Sequence, residues 1–348
     1  MIIADRIKKI RRALKSLKID ALLVSNPSNI FYLSGFRGDD SLLLVTVDSS
    51  YIITDFRFEQ DALNSALGFN VIAGPGNIYK KIASLVKRLF LKRIGFESAH
   101  LKVMQKEILT GLITARFLPV SGIIENLRTI KYPDEIKAIK TSACITKKVL
   151  KRIIKEIKKG KTERDIAAQI DFLLRKEGAD KSSFSTIVAS GENSSMPHAR
   201  PQKRKIRTGD AVVLDFGATC DNYSSDLTRT LFVGKISKYL SLLYNIVATA
   251  QKRAISRVGP GVKISDVDKA ARGYITKRGF GEYFGHATGH SVGIDVHESP
   301  SINFKNHATL KEGMVFTVEP GIYIAGIGGV RIEDMVLVNK KGCEILTR

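Results

Sequence analysis

Val212-Val213-Leu214-Asp215-Phe216-Gly217, followed closely by Ser224-Ser225-Asp226-Leu227-Thr228-Arg229-Thr230, sets two acids beside strand-forming apolar runs and small turn residues. Such positions aim a side chain inward from the end of a sheet rather than out into water. Three further words of this kind follow: His290 in Ala287-Thr288-Gly289-His290-Ser291-Val292-Gly293, Glu319 in Thr317-Val318-Glu319-Pro320-Gly321, and Glu333 in Val330-Arg331-Ile332-Glu333-Asp334. Singly, each has a plainer reading: a turn aspartate, a loop acid, a glutamate before a turn, a surface acidic pair, a packed histidine. Together they form a donor set of four carboxylates and one imidazole, suited to hard or borderline divalent metals. Four carboxylates in one pocket would repel severely unless cations neutralised them. Five ligands exceed what one metal with an open position needs, so two metals sharing bridging carboxylates fit better.

Outward from these words, strands dominate beyond Gly209, interrupted by a helix near Tyr239 to Arg257. Two helices come before them. One runs from the boundary at Lys131-Tyr132-Pro133-Asp134-Glu135, with Asp134 as its cap, to about Lys158, and ends at Gly160. The other opens at Thr162 with Asp165 and stops at Gly178. Strands after two helices indicate an α+β domain over 129–348. Residues 1–128 alternate helix and strand signals and read as an α/β domain. Ile3, Ile7, Ile10, Leu14 and Leu17 have helical spacing, and Ala21-Leu22-Leu23-Val24-Ser25 reads as a buried strand. A strand pair turns around Asp48-Ser49-Ser50, and strands at Asn70 to Ala73 and Arg93 to Phe96 flank a helix near Tyr79 to Phe90. The segment has no GxGxxG or Walker loop, so no nucleotide site is read there.

At 348 residues the chain is long for one core, and 44% hydrophobic with 26% charged residues is an ordinary soluble composition. The N-terminal residues lack the apolar core of a signal peptide, and no apolar run approaches the roughly 20 residues of a membrane span. Cys144, Cys220 and Cys343 form neither a metal-type pair nor a disulfide framework, so a reduced, cytoplasmic protein is expected. The net charge of +22 is spread over both halves. Its densest run, Lys147 to Lys161, lies opposite Ile145, Leu150, Ile153, Ile154 and Ile157 and reads as a solvated helix face. A nucleic-acid surface is the competing reading, without a groove-reading motif to support it. Lys203, Arg204, Lys205 and Arg207 lie close to His198 and could attract acidic peptides.

The five words and their neighbours resemble the pita-bread metallopeptidases, the group of aminopeptidase P, prolidase, methionine aminopeptidase and the metal-free creatinases. Met196-Pro197-His198-Ala199-Arg200-Pro201, Phe284-Gly285-His286-Ala287-Thr288-Gly289-His290, Val296-His297-Glu298-Ser299-Pro300 and Gly328-Gly329-Val330-Arg331-Ile332-Glu333-Asp334 match the Xaa-Pro-cleaving branch. The resemblance implies a creatinase-type N-terminal domain and a pita-bread catalytic domain. It implies two divalent ions (Mn, Co, Zn or Fe) on Asp215, Asp226, His290, Glu319 and Glu333, with Asp226 and Glu333 bridging and Glu319 also taking up a proton. His198 and His297 resemble histidines facing the scissile bond, Arg331 the residue that orients Glu333, and Tyr323 and His286 further neighbours of the substrate. The implied substrate is a peptide with proline in second position, and a homodimer is implied as well. Methionine aminopeptidase ordinarily lacks such an N-terminal domain, and creatinase chemistry does not suit an intact ligand set. A non-enzymatic relative binding nucleic acid or a ribosome usually shows eroded ligands. Ser301 stands where dipeptide-selective members often carry arginine, which leaves room for longer peptides.

Overall fold

The computed structural model describes residues 2–348 and divides into two compact units, which meet in the chain between Arg128 and Thr129. The first opens with α1 (Ile2–Leu17), whose Ile7, Ile10 and Leu14 are buried while Leu17 is exposed. Its six strands are β1 (Ala21–Val24), β2 (Leu42–Thr46), β3 (Ser50–Ile53), β4 (Asn70–Ile72), β5 (Arg93–Glu97) and β6 (Arg116–Val120). They form one sheet in the order β4-β3-β2-β1-β5-β6. The central pairs β1/β2 and β2/β3 are antiparallel and the outer pairs parallel. Helices α2 (Pro27–Ser34), α3 (Glu59–Ser65), α4 (Ile78–Arg88), α5 (Val103–Leu112) and α6 (Ile123–Arg128) complete the unit. Of these only α4 has a clear signal in the sequence reading.

The second unit begins with α7 (Pro133–Ile153) and α8 (Glu163–Lys176). The sequence predicts Asp134 as the cap of α7. In the structure Tyr132 is the cap and Pro133 is the first helical residue, because Pro pre-sets helical φ and gives up an N–H that has no partner there. Glu135 completes the start by accepting from the Tyr132 N–H at 2.9 Å. The helix stops at Ile153 rather than near Lys158. One 3-10 turn follows, and Ile154, expected on the apolar face, is exposed. For α8 the reciprocal Thr162 and Asp165 cap is present, at 2.9 and 3.1 Å.

The unit's strands are β7 (Lys181–Ser182), β8 (Ile187–Ser190), β9 (Ala211–Phe216), β10 (Ala218–Cys220), β11 (Tyr223–Ser224) and β12 (Leu227–Phe232). After α9 (Lys238–Ile255) and α10 (Ile264–Lys277) come β13 (Gly289–Ser291), β14 (Glu298–Ile302), β15 (Val315–Val318), β16 (Gly321–Ile324), β17 (Gly328–Arg331), β18 (Asp334–Asn339) and β19 (Gly342–Ile345). The strands form sheets β12-β9-β8, β11-β10-β7, β14-β13-β15-β18-β19 and β16-β17. One core packs α7 and α8 on β8 and β9; a larger one packs α9 and α10 against β15 to β18. The sequence reading has no counterpart to α10. Its buried apolar residues are Ile264, Val267, Ala271 and Ile275, too sparse to stand out among polar neighbours. Antiparallel strands between two helix pairs make this an α+β unit, with strand ends from both sides meeting over one cavity.

Candidate metal centre and active site

Asp215 is the fifth residue of β9, held opposite Thr228 of β12 and Ile187 of β8. Asp226 immediately precedes β12, so these two acids stand on one three-stranded sheet. His290 is the middle residue of β13, Glu319 directly follows β15, and Glu333 lies between β17 and β18. The two sheets are stitched where they meet. The Glu333 N–H donates to the Thr228 carbonyl at 3.1 Å, and Arg229 donates to the Glu333 carbonyl and pairs with Asp334.

All five side chains line one cavity of about 630 Å³, together with His198, His286, His297, Ser301 and Arg331. Ligand atoms of Asp226, His290 and Glu333 lie within 4.8 Å of one another. His290 Nε2 is 3.6 Å from Asp226 Oδ2 and 3.3 Å from Glu319 Oε1. Asp215 Oδ1, Asp226 Oδ1 and Glu333 Oε1 are buried with no hydrogen-bond partner. Buried oxygens of this kind are costly unless something positive meets them, and a divalent cation matches their hard-donor chemistry. Burial, reinforced by neighbouring carboxylates, holds Asp226 and Glu333 far above the usual carboxylate range, and burial also raises Glu319. Burial lowers the pKa values of His286, His290 and His297, keeping these imidazoles neutral and fit to donate a lone pair.

The expected roles around this cluster change in detail. Arg331 does not reach Glu333 directly. Its Nη2 grips Asp215 Oδ2, its Nη1 donates to Tyr323 Oη at 3.0 Å and to the Pro197 carbonyl at 3.1 Å, and its Nε donates to Thr228 Oγ1 at 3.1 Å. Thr228 Oγ1 in turn donates to Glu333 Oε2 at 2.7 Å. Arg331 therefore orients Asp215, and Thr228 carries its influence to Glu333. The difference arises because β9 and β12 bring Asp215 and Thr228 side by side, a pairing invisible within one word of sequence. Tyr323 stands behind the cavity wall, its hydroxyl shared by Arg331 and His286 Nε2, the latter at 3.0 Å; burial pushes its pKa up to about 12. His297 lies against His290 with ring centroids 4.3 Å apart and the rings tilted by 53°, and His198 stands on the exposed rim.

Sequence reasoning passes over Thr228, Thr317, Lys131 and Glu298. Thr317 Oγ1 donates to Glu319 Oε1 and accepts from the His290 N–H, both at 3.0 Å. Its period-2 place in β15, alternating with buried Phe316 and Val318, is the only signal that could have marked it.

Residues 137–340 match the model of metallopeptidase family M24, and residues 6–130 match the creatinase/prolidase N-terminal domain. The chain belongs to metallopeptidase family M24. Among M24 relatives it is 37% identical to the Xaa-Pro dipeptidase of Pyrococcus horikoshii, over 100% of this chain and 98% of that protein. The structure is similar to that of the Xaa-Pro dipeptidase from Bacillus anthracis (TM-score 0.97, 40% identity, 99% of this chain and 98% of that one). It is also similar to the X-Pro aminopeptidase from Thermotoga maritima (TM-score 0.89, 35% identity, 97% of each chain). No helix among the described residues is long and apolar enough to cross a membrane.

Proposed function

We propose that this M24 protein hydrolyses the bond between an N-terminal residue and a following proline, with two divalent cations held by Asp215, Asp226, His290, Glu319 and Glu333. The observation that carries the proposal is the cavity itself, where five ligand-type side chains converge and three buried carboxylate oxygens have no partner. Relatives that bear the names Xaa-Pro dipeptidase and X-Pro aminopeptidase supply the substrate class. Mn, Co, Zn or Fe satisfies this donor set, and Mn is the ion we favour. A cytoplasmic homodimer completes the reading.

Cations held there supply electrophilic activation of the scissile carbonyl and of the attacking water. The protein's own groups do the rest. An acylated proline nitrogen has no hydrogen, so it must gain a proton as it leaves. Glu319, oriented by the hydrogen bond from Thr317, is placed to pass one on. His297 on the exposed side of His290 donates to the developing oxyanion. His198 at the rim holds the peptide, and Phe184, Ile187, Pro197 and Pro201 offer an apolar wall for the pyrrolidine ring.

Ser301 also lines the cavity, and its neutral hydroxyl cannot form the bidentate pair that arginine gives a free carboxylate. Peptides longer than two residues are therefore expected to be cleaved at least as well as dipeptides. The test strips the protein of metal, restores Mn, Co, Zn and Fe in turn, and compares kcat/KM for Ala-Pro, Met-Pro and Ala-Pro-Ala. No Xaa-Pro hydrolysis with any metal would reject the function. A roughly hundredfold preference for the dipeptides, about 2.8 kcal/mol, would show that another cation captures the carboxylate.

A further inference from the structure

We propose that Lys131 is a positioning residue for this site, whose buried ammonium ties together the residues that follow His290 and His297 and so sets the spacing of the two imidazoles. The inference rests on the reading of those histidines given above. The Lys131 N–H donates to the Gly313 carbonyl at 2.9 Å, which fixes its backbone to the loop entering β15. From there Nζ reaches Ser291 Oγ and Glu298 Oε2, each at 3.2 Å. The Lys131 and Glu298 side chains are only 1% and 5% exposed, so water does not weaken the pair.

Ser291 and Glu298 face each other across β13 and β14, at the place where the register slips between His290 and Ser291. Such a bulge re-aims the side chain beside it, and here that side chain is His290. Ser291 Oγ donates onward to the Val315 carbonyl at 2.8 Å, so one ammonium links β13, β14 and β15. The other Glu298 oxygen accepts from the Asp295 N–H at 3.2 Å, and Gly293, lacking a Cβ, lets its backbone close on the same carboxylate. The loop from Gly293 to His297 thus wraps around Glu298, and His297 emerges from it 4.3 Å from the His290 ring. Ions at this depth whose only task is stability are readily replaced by apolar groups. A pair joined to the residues after two working histidines has a geometric task as well.

Two variants separate these tasks. Lys131→Met takes the ammonium away from the buried Glu298 carboxylate, and is expected to lower both stability and turnover. Lys131→Met/Glu298→Gln removes both charges but keeps an acceptor for Asp295. We expect the double variant to regain much of the lost melting temperature. Its His290 and His297 ring 1H–15N signals, recorded on metal-free protein below its melting point, should stay displaced from wild type. With metal restored, kcat should remain at least about tenfold down while KM moves less than about threefold. Recovery of wild-type ring signals and kcat along with melting temperature would overturn the proposal, as would an undiminished kcat in Lys131→Met. Failure of the wild-type protein to cleave Xaa-Pro bonds would instead strike the proposed function, and the metal-free ring spectra would still decide the clamp.

Discussion

Asp226 and Glu333 each keep one buried oxygen without a partner, and each stands among carboxylates that raise its pKa. Asp226→Asn or Glu333→Gln removes the charge of one carboxylate that would hold the cations. Either variant is expected to lose turnover and metal together, read by elemental analysis beside peptide hydrolysis. Wild-type activity with full metal content would remove that residue from the ligand set. His297 is different: it lies against a ligand-type histidine without carrying a ligand word of its own. His297→Ala, and His198→Ala at the rim, should retain metal while kcat falls about 10²–10⁴-fold, the usual cost of a positioned donor. Metal loss equal to that of Asp226→Asn would instead make either histidine a ligand. The five acid and imidazole words could be picked out of the chain because each places a ligand-type side chain beside an apolar run. The link from Arg331 to Asp215 could not, since it joins residues 116 apart through strand pairing. Lys131 was passed over for a related reason: it sits in a boundary word, and its partners are 160 and 167 residues away.

Local patterns located the long elements and missed those defined by their neighbours. α8 announces itself through its cap, α7 through its apolar spacing, and β9 through the apolar run that leads to Asp215. α10 has four apolar contacts spread along fourteen residues, and β6 contains Pro119, which argues against a strand until the sheet edge it occupies is known. The short β13 carries its information in glycine. A methyl group at Gly289 would run into the Thr317 carbonyl, so β13 and β15 approach as closely as they do only because the side chain is absent. Gly289→Ala is expected to cost roughly 1–3 kcal/mol, the range for forcing atoms into packed space, and to displace His290 from Thr317. Denaturant unfolding with metal titration measures both effects; unchanged stability and unchanged metal affinity would show that the strands can part without penalty.

For the catalytic unit as a whole, the acidic cluster couples stability to pH and to metal. Asp226, Glu319 and Glu333 have folded pKa values raised above their unfolded ones. The metal-free folded state therefore binds more protons than the unfolded state, and this contribution is lost as pH rises through the raised values. His286, His290 and His297 are lowered, so their contribution runs the other way and is complete only above the unfolded histidine value of about 6.5. Metal-free wild type should accordingly lose more stability than Asp226→Asn does as pH rises above the unfolded carboxylate value of about 4, and added metal should abolish the difference. Equal pH slopes for the two metal-free proteins would contradict the pKa directions. The stitching of Glu333 to Thr228 has a further consequence for how the molecule comes into being. Asp215 and Asp226 are synthesised and can fold onto β9 and β12 long before Glu319 and Glu333 exist. A chain of that length has the acids of one sheet and nothing to share them with. An ion that needs oxygens from both sheets can be held fully only once the second sheet has docked. An unfolded chain, with its donors scattered so widely, competes poorly for the same ions, so nearly all the binding free energy falls on the native side of the equilibrium.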